Sequence, residues 1–208
     1  MANMFIVLDG LDGCGKGEQI KRLHNFFFEL DKRNIILTTR EPTYGTYGVK
    51  IRKILKEEKD PYKNAELLLE LYTKDREEHL EKTIKPFLFS TGEINKIVLC
   101  DRYYHSTYAF QQAQGISFER IYELQKDFLK PTITFILDLN PELALSRIQN
   151  GRANSEKFEK LEIMGKIRKN FLDLKNKLDE KIFVIDASKS KEEVFNQIVN
   201  VLKQENLV

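Results

Sequence analysis

The sequence predicts one three-layer α/β domain in which a five-stranded parallel sheet lies between layers of helices. Five short runs are nearly continuous in apolar residues, at 4–8, 34–38, 96–100, 134–139 and 182–186. Strands that are buried on both faces of a parallel sheet show this pattern, whereas half-exposed strands alternate. Helical periodicity fills long stretches between the runs, and strands that alternate with helices are typical of this fold class.

The helices are predicted in chain order from apolar residues at helical spacing. In the first, Ile20, Leu23 and Phe27 fall on one face. Pro141 begins another and suits a first turn, where its missing N–H is not needed. The polar stretch 149–157 has weak periodicity and predicts a mobile loop between two helices. The predicted helices cover 18–33, 65–88, 141–148, 159–178 and 191–205.

The composition is ordinary for a globular protein and excludes several functions. Among 208 residues, 34 Lys and Arg are interspersed with 32 Asp and Glu, so a nucleic-acid partner is not expected. The sequence shows no signal-peptide pattern and no apolar segment long enough to cross a membrane. Two cysteines, Cys14 and Cys100, are too few for a secreted disulfide framework. We therefore expect one cytoplasmic domain over 1–208 without a membrane partner.

A glycine-rich stretch follows the first strand directly and opens the first helix. It reads GLDGCGKGEQ and fits the phosphate-binding pattern G-x-x-x-x-G-K. Glycines let several backbone N–H groups point at one oxyanion, and the helix N-terminus and a lysine add positive charge. The sequence therefore predicts that the phosphates of a nucleotide bind at Gly10, Leu11, Asp12, Gly13, Cys14, Gly15, Lys16, Gly17 and Glu18.

Gly17 departs from this pattern, because the next residue after the lysine is usually Ser or Thr, whose hydroxyl binds Mg²⁺. Two interpretations follow from the missing hydroxyl. Mg²⁺ is held by phosphates, water and a carboxylate from elsewhere, as its retention of several waters in such sites permits. Alternatively, the site binds a nucleotide but is catalytically weakened.

Charged residues follow the second and third strands, whose carboxyl ends meet at the ligand-binding edge of a parallel sheet. Arg40 and Arg102 are suited to a bidentate grip on phosphate, and Asp101 is placed to hold Mg²⁺ or its water shell. Tyr72 and Arg76, at i and i+4, form a possible clamp for a planar base. Spacing by itself favours a core tyrosine with a surface arginine.

Six stretches along the chain carry a family resemblance. They read DGLDGCGKGEQ, TREP, LYTKDR, DRYYHSTYAFQ, ALSRI and DASKS. The chain resembles the thymidylate kinases, a family of P-loop nucleoside monophosphate kinases, nearly end to end. The resemblance implies a P-loop NTPase fold with an acceptor-binding segment at about 40–90 and a short lid at about 149–158. It also implies transfer of the γ-phosphoryl group of ATP to dTMP, with Mg²⁺ as cofactor, in a homodimer.

The resemblance assigns roles to individual residues. Lys16 would hold the ATP phosphates, and Asp12 would meet the 3′-hydroxyl of dTMP. Tyr72 would stack on thymine, and Arg76 would address its edge. Phe110 and Tyr103 would close around the sugar and crowd a 2′-hydroxyl. The residues implied at dTMP are Asp12, Arg40, Tyr72, Arg76, Arg102, Tyr103, Ser106, Phe110 and Gln111. Those implied at adenine are Arg147, Ala187, Ser188 and Lys189.

Three departures from the family pattern concern catalysis. Gly17 also occurs in adenylate kinases, which are active. Glu18 stands where Thr is usual, and its carboxylate would repel phosphates unless it faces Mg²⁺ or water. Gly13 stands where some members carry a catalytic arginine, so the lid is expected to supply the charge through Arg152, with Lys157 as second choice.

The implied catalytic residues are Lys16, Asp101, Arg102 and Arg152. Asp101 is the first candidate for Mg²⁺ and Glu18 the second. Two other functions stay open: a kinase for another nucleoside monophosphate or a nucleoside, and a catalytically weakened nucleotide-binding protein.

Overall fold

A five-stranded parallel sheet forms the centre of the protein, of which the computed structural model describes residues 3–58, 60, 62–92, 95–148 and 156–208. The strand order is β2-β3-β1-β4-β5, and neighbouring strands are parallel throughout. All five predicted strands are confirmed, with small differences at their ends. The strands are β1 Met4–Gly10, β2 Ile35–Arg40, β3 Lys96–Asp101, β4 Ile133–Asp138 and β5 Ile182–Asp186.

Helices precede or follow these strands along the chain, and the five predicted helical stretches are all helical. The helices are α1 Lys16–Leu30, α2 Thr46–Glu57, α3 Ala65–His79, α4 Lys85–Phe89, α5 Tyr104–Ala113, α6 Phe118–Gln125, α7 Pro141–Ile148, α8 Glu156–Lys177 and α9 Lys191–Gln204. A π-helical turn, Leu80–Ile84, joins α3 to α4. Helices α2, α5 and α6 lie outside the predicted set. Residues 149–155 of the predicted lid, including Arg152, lie outside the described residues, and Lys157 belongs to the first turn of α8.

The central strand explains why its sequence is continuously apolar. Every residue of β1 is buried, because β3 and β4 flank it within the sheet and helices cover it. On the helices, Leu23 and Phe27 of α1 and Phe171 and Leu174 of α8 belong to the same core. The fold is therefore the predicted α/β arrangement, with helices flanking one parallel sheet.

The carboxyl ends of the strands meet at one edge and bring the charged residues together. Arg40 lies opposite Asp101 in the register of β2 and β3, and Asp101 lies opposite Leu8 of β1. Gly10, where the glycine-rich loop begins, pairs with Leu137 of β4. The candidate site is therefore built at this edge. None of the helices in the described part of the chain is long and apolar enough to cross a membrane.

The loop between β2 and α2 packs closely against α2. A Cβ atom on Gly48 would collide with the carbonyl of Thr43 and would lie 2.9 Å from Oδ1 of Asp75. Asp75 also accepts hydrogen bonds from the N–H and the hydroxyl of Thr43, at 2.7 and 2.6 Å. Gly48 thus allows the helix to approach a loop that Asp75 fixes from α3.

We expect Gly48→Ala to lower the free energy of unfolding by about 1–3 kcal/mol, the usual cost of overpacking. Gly165→Ala in α8 is the matched control, because a Cβ there meets nothing within 4 Å. Alanine at an open helical position raises stability by roughly 0.5–1 kcal/mol. Urea unfolding of both variants measures the difference. Equal effects would contradict the close approach at Gly48.

Candidate active site

The glycine-rich loop takes a conformation that requires its glycines. Gly10, Gly13 and Gly15 have φ angles of 138°, 81° and 97°. Added Cβ atoms would lie 2.6 Å from the carbonyl oxygen of Leu137 at Gly10 and 2.7 Å from that of Ala144 at Gly13. A residue other than glycine would be strained at these φ angles. The loop is therefore shaped to curl its backbone around a small space at the start of α1.

Lys16 lies inside this loop. Its side chain is buried, and Nζ donates to the carbonyl oxygens of Gly10 and Leu11 at 3.2 and 3.0 Å. Nζ also lies 3.8 Å from Sγ of Cys14, and burial raises the pKa of that thiol. The ammonium charge is held by neutral groups, which suits it to an incoming anion.

Glu18 is engaged in an ion-pair chain on the outer side of α1. Its Oε1 accepts from Nε of Arg22 at 2.9 Å, and Nη1 of Arg22 lies 2.6 Å from Oε2 of Glu192 at the start of α9. The hydrogen bond from Arg22 lowers the pKa of Glu18. An added Cβ on Gly17 meets nothing within 4 Å. The structure thus gives Glu18 a partner of its own, and the position before it has open space.

Asp9, near the end of β1, holds Arg102 of the candidate site and was not predicted from the sequence. It is fully buried, and its Oδ1 accepts from the N–H of Gly10 at 2.9 Å and the hydroxyl of Ser106 at 2.7 Å. The same oxygen pairs with Nη1 of Arg102 at 3.3 Å, and Oδ2 accepts from the N–H of Tyr103 at 3.3 Å. A carboxylate inside an apolar strand needs such partners. The acidic residue at the end of the first apolar run was therefore the sequence feature that could have revealed Asp9.

Arg102 joins Asp9 to the mouth of the site. Its φ of 72° is unusual for a non-glycine residue, and its N–H donates to the carbonyl of Leu8 at 3.0 Å. Nη1 donates to Oγ of Ser106 at 2.8 Å, and Nη2 pairs with Oδ1 of Asp12 at 2.7 Å. Burial opposes the charge, yet the carboxylates of Asp9 and Asp12 raise the pKa of Arg102. The guanidinium is therefore charged and fixed in place.

Asp12 and Asp101 present carboxylates beside this guanidinium. Partial desolvation opposes the charge on Asp12, but Arg102 and Lys16 hold its pKa below the usual value. Oδ2 of Asp101 lies 3.7 Å from Nη2 of Arg40, whose side chain is half exposed. Oδ1 of Asp101 is buried and has no hydrogen-bond partner among the described residues. Asp101 is thus the candidate with an acceptor atom still available.

Two clefts open at this edge. The phosphate-loop cleft, of about 330 Å³, is lined by Asp12, Gly13, Gly15, Lys16, Gly17, Glu18, Arg40, Asp101, Arg102 and Arg147. The aromatic cleft, of about 380 Å³, is lined by all nine residues implied at dTMP and by Glu41, Pro42, Arg52, Leu55 and Thr107, which sequence reasoning missed. A larger groove of about 530 Å³ lies beside these two clefts. Of the described residues that the resemblance places at a substrate or at the metal, the groove is lined by Gly17, Arg40 and Asp101.

The aromatic cleft combines rings with buried polar groups. Burial raises the pKa of Tyr72 to about 12, so its hydroxyl stays protonated at neutral pH. The ring of Phe110 lies 5.2 Å from the Arg102 guanidinium and packs edge-on against Phe171. Oε1 of Gln111 is buried without a partner among the described residues. The cleft therefore offers apolar faces and a free acceptor to a ligand.

Two residues implied at dTMP are held deep in the wall of this cleft. The hydroxyl of Tyr103 donates to the carbonyl of Leu129 at 3.1 Å, and its side chain is fully buried. Arg76 is 1% exposed and pairs with Glu41 at 2.7 Å. The spacing of Tyr72 and Arg76 had favoured a surface arginine, and that expectation is wrong, because a buried carboxylate draws the guanidinium inside.

Arg147 connects the glycine-rich loop to the turn that follows β5. Its Nη1 donates to the carbonyl of Ala187 at 3.2 Å and lies 3.5 Å from that of Gly13. The turn is closed by Asp186, whose Oδ1 accepts from the N–H of Ser188 at 2.9 Å, and Lys189 lies 3.9 Å from Asp186. The residues implied at adenine therefore lie together, next to the phosphate-loop cleft.

Asp12, Arg40 and Arg102 line both clefts. The two clefts therefore meet at three charged side chains. Such a junction can align two phosphate-bearing molecules end to end and hold their charge. Arg152, implied as the catalytic lid residue, lies outside the described residues.

Comparison with known proteins identifies the family of the chain. A family model described as thymidylate kinase matches residues 8–198. A probable thymidylate kinase of Thermococcus kodakarensis is 37% identical over 96% of this chain and 97% of its own. Thymidylate kinases of Aster yellows witches'-broom phytoplasma and Brachyspira hyodysenteriae are 38% and 34% identical, over 97% and 100% of this chain and 97% of their own. The chain belongs to the thymidylate kinase family.

Proposed function

We propose that this protein transfers the γ-phosphoryl group of ATP to dTMP and releases dTDP and ADP. The observation that carries the proposal is the junction of the two clefts at Asp12, Arg40 and Arg102. ATP lies with its phosphates in the phosphate-loop cleft and its adenine near Arg147. The base and sugar of dTMP lie in the aromatic cleft, so its phosphate meets the ATP phosphates at the junction.

The protein acts by alignment and charge neutralisation, because phosphoryl transfer asks little covalent chemistry of an enzyme. Lys16 and Arg102 are the catalytic cations, and both are already held by fixed partners in the structure. A cation that need not reorganise stabilises developing charge most effectively. Closure of a lid over the site excludes water that would hydrolyse ATP.

The aromatic cleft recognises the phosphate, the base and the sugar of dTMP. Arg40 and Arg102 bind its phosphate, and Tyr72 stacks on thymine. Arg76 addresses the base edge, and Phe110 lies against the sugar, where a 2′-hydroxyl is crowded. Asp12 accepts from the 3′-hydroxyl, Ser106 and Tyr103 complete the wall, and Gln111 presents its free oxygen to the base. The support is that all these residues line one cleft.

The residues present at this edge of the sheet fit a Mg²⁺ ion. Oδ1 of Asp101 is a buried carboxylate oxygen without a partner among the described residues, and hard oxygen ligands are those that Mg²⁺ prefers. Asp101 would hold the ion or its water shell, and the ion would neutralise phosphate charge. Glu18 is the weaker candidate, because its carboxylate already binds Arg22.

The lid supplies a further cation in this proposal. A side chain on Gly13 would meet the carbonyl of Ala144, so the glycine-rich loop cannot carry an arginine there without a shift of α7. Arg152 of the lid therefore takes that role, with Lys157 as the second candidate. The charge arrives when the lid closes over both substrates.

We also propose a cytoplasmic homodimer. Apolar side chains are exposed on the helices beside the aromatic cleft, including Val49 on α2, Leu67 on α3 and Tyr122 on α6. The dimer itself is the one that the family resemblance implies, and these side chains are candidates for its interface. Cys14 and Cys100 are both unpaired and buried, which suits a reducing compartment.

An ADP-release assay with ATP and Mg²⁺, in the presence and absence of dTMP, tests the reaction. We expect ADP release to depend on dTMP and to be much weaker with dUMP, dCMP, AMP or thymidine. ADP release that is the same with and without dTMP would refute phosphoryl transfer to this acceptor. Faster release with another member of the panel would reassign the substrate and leave the kinase chemistry intact.

Arg40→Ala should weaken dTMP binding while leaving ATP binding nearly unchanged. A charge-assisted hydrogen bond contributes about 1.5–3 kcal/mol, so the dissociation constant should rise roughly 10- to 150-fold. Arg40 is the cleaner probe of the two phosphate arginines, because removal of Arg102 would leave Asp9 buried and unpaired. Calorimetry with Arg33→Ala as the exposed-arginine control measures the effect. Unchanged affinity in Arg40→Ala would remove this residue from the acceptor site.

Three substitutions separate the candidates for Mg²⁺. Asp101→Asn should raise the Mg²⁺ concentration for half-maximal activity and lower turnover sharply. Glu18→Gln should have little effect, because its carboxylate already binds Arg22. Gly17→Ser should fold normally, since its Cβ has open space, and its hydroxyl should tighten Mg²⁺ binding. Activity against Mg²⁺ concentration measures all three. An inactive Glu18→Gln beside an active Asp101→Asn would assign the metal to Glu18.

A further inference from the structure

A buried polar cluster lies behind the aromatic cleft. It consists of Glu41, directly after β2, and of Arg76 and His79 on α3, and these residues are 3%, 1% and 5% exposed. Arg76 and Glu41 line the cleft, whereas His79 does not. His79 is the last residue of α3, and the π-helical turn begins directly after it. His79 is therefore a buried histidine close to Arg76, the residue proposed to recognise the base.

Glu41 is shared between the two α3 residues. Its Oε2 accepts from Nε of Arg76 at 2.8 Å and lies 2.7 Å from Nη2 of the same guanidinium. Its Oε1 lies 3.1 Å from Nδ1 of His79. Because a carboxylate can only accept, the hydrogen of this bond is on Nδ1. One oxygen of the Glu41 carboxylate thus binds Arg76, and the other binds His79.

The ring of His79 is itself fixed from its other side. Nε2 lies 2.7 Å from the hydroxyl of Thr39 on β2. In the neutral ring with Nδ1 protonated, Nε2 accepts the hydroxyl hydrogen of Thr39. The bond sets both the tautomer and the rotation of the ring. His79 therefore links the strand to the carboxylate that holds Arg76.

The other contacts of Arg76 use most of its hydrogens. Nη1 donates to Oε1 of Gln125, and Nη2 donates to Oγ1 of Thr107 at 3.2 Å. Gln125 is in turn held by a bond from its Nε2 to Oγ1 of Thr73 at 2.9 Å. A guanidinium has five N–H donors, so with Glu41 counted, one N–H on Nη1 has no partner among the described residues. Arg76 lines the aromatic cleft, so this N–H is the donor of Arg76 that is left for a ligand there.

We propose that His79 is a positioning residue for base recognition, acting through Glu41 on Arg76; this rests on the proposed binding of dTMP in the aromatic cleft. A single N–H can meet a base carbonyl only if the guanidinium is held within a narrow range of angles. Without the bond from His79, Oε1 of Glu41 is a buried oxygen with no partner, and the carboxylate turns to satisfy it. The guanidinium follows, and its free N–H is no longer aligned with the base.

A pair of substitutions separates positioning from simple packing. The amide nitrogen of His79→Asn stands near the place of Nδ1 and can still donate to Glu41. The amide of His79→Gln reaches the place of Nε2 instead and can bind Thr39 but not Glu41. A packing role predicts the opposite order, because asparagine is the smaller residue and leaves the larger void. His24→Gln on α1, outside the aromatic cleft, is the matched control.

Calorimetry and steady-state kinetics measure the outcome. For His79→Gln we expect the dissociation constant and KM for dTMP to rise about tenfold, the size of one hydrogen bond to a charged group. The rise for His79→Asn should be several-fold smaller, while kcat and the KM for ATP change little in both. The preference for dTMP over dCMP should fall in His79→Gln, because a misaligned donor no longer selects a base carbonyl.

The results distinguish this inference from the proposed function. If wild-type protein and His24→Gln bind dTMP and the two His79 variants bind it equally, or His79→Asn binds it more weakly, the positioning role is refuted and the function stands. If wild-type protein does not bind dTMP, both are refuted. Should His79→Gln fail to fold, Thr39→Val and Thr39→Ser provide the same contrast. The valine variant should weaken dTMP binding more than the serine variant, and equal binding refutes the role.

Discussion

The pairing of Asp9 with Arg102 is the interaction on which the rest of the site depends. A charge that is fully buried in the central strand is stable only when it is paired and hydrogen-bonded. Asp9 meets this requirement with bonds from Arg102, Ser106 and two backbone N–H groups. The same bonds hold Arg102 in a strained backbone conformation, which costs about 1–3 kcal/mol and persists only when its surroundings fix it. The position of the Arg102 guanidinium is thus fixed by the folded core.

The fold could be predicted wherever burial left a regular pattern in the sequence. The strand β1 is covered on all sides, so its apolar run is unbroken, and α7 begins at the predicted Pro141. Helix α5 could not be predicted in the same way. Its residues Tyr104, His105 and Tyr108 are all buried, so the contrast between a polar and an apolar face is lost. Hydrophobic periodicity identifies helices that have one solvent-exposed face, and most residues of α5 are buried.

Site residues could be predicted where they belong to a recognisable motif. They were harder to predict where their hydrogen-bond partners come from distant parts of the chain. All nine residues implied at dTMP line one cleft. Arg52 also lines the cleft but was not predicted. It donates to the backbone carbonyls of Pro42, Thr43 and Gly48, and a backbone acceptor cannot be recognised from the residue type. The burial of Arg76 was likewise hidden, because Glu41, its partner, lies 35 residues away in the chain.

The ion-pair chain from Glu18 through Arg22 to Glu192 has a consequence for how the sequence can vary. It joins the first turns of α1 and α9, and Gln19 adds a bond from its Nε2 to the carbonyl of Lys191 at 3.0 Å. A threonine at position 18 would leave Arg22 with one acidic neighbour instead of two. Because the three charges depend on one another in this way, we expect positions 18, 22 and 192 to vary together among related sequences.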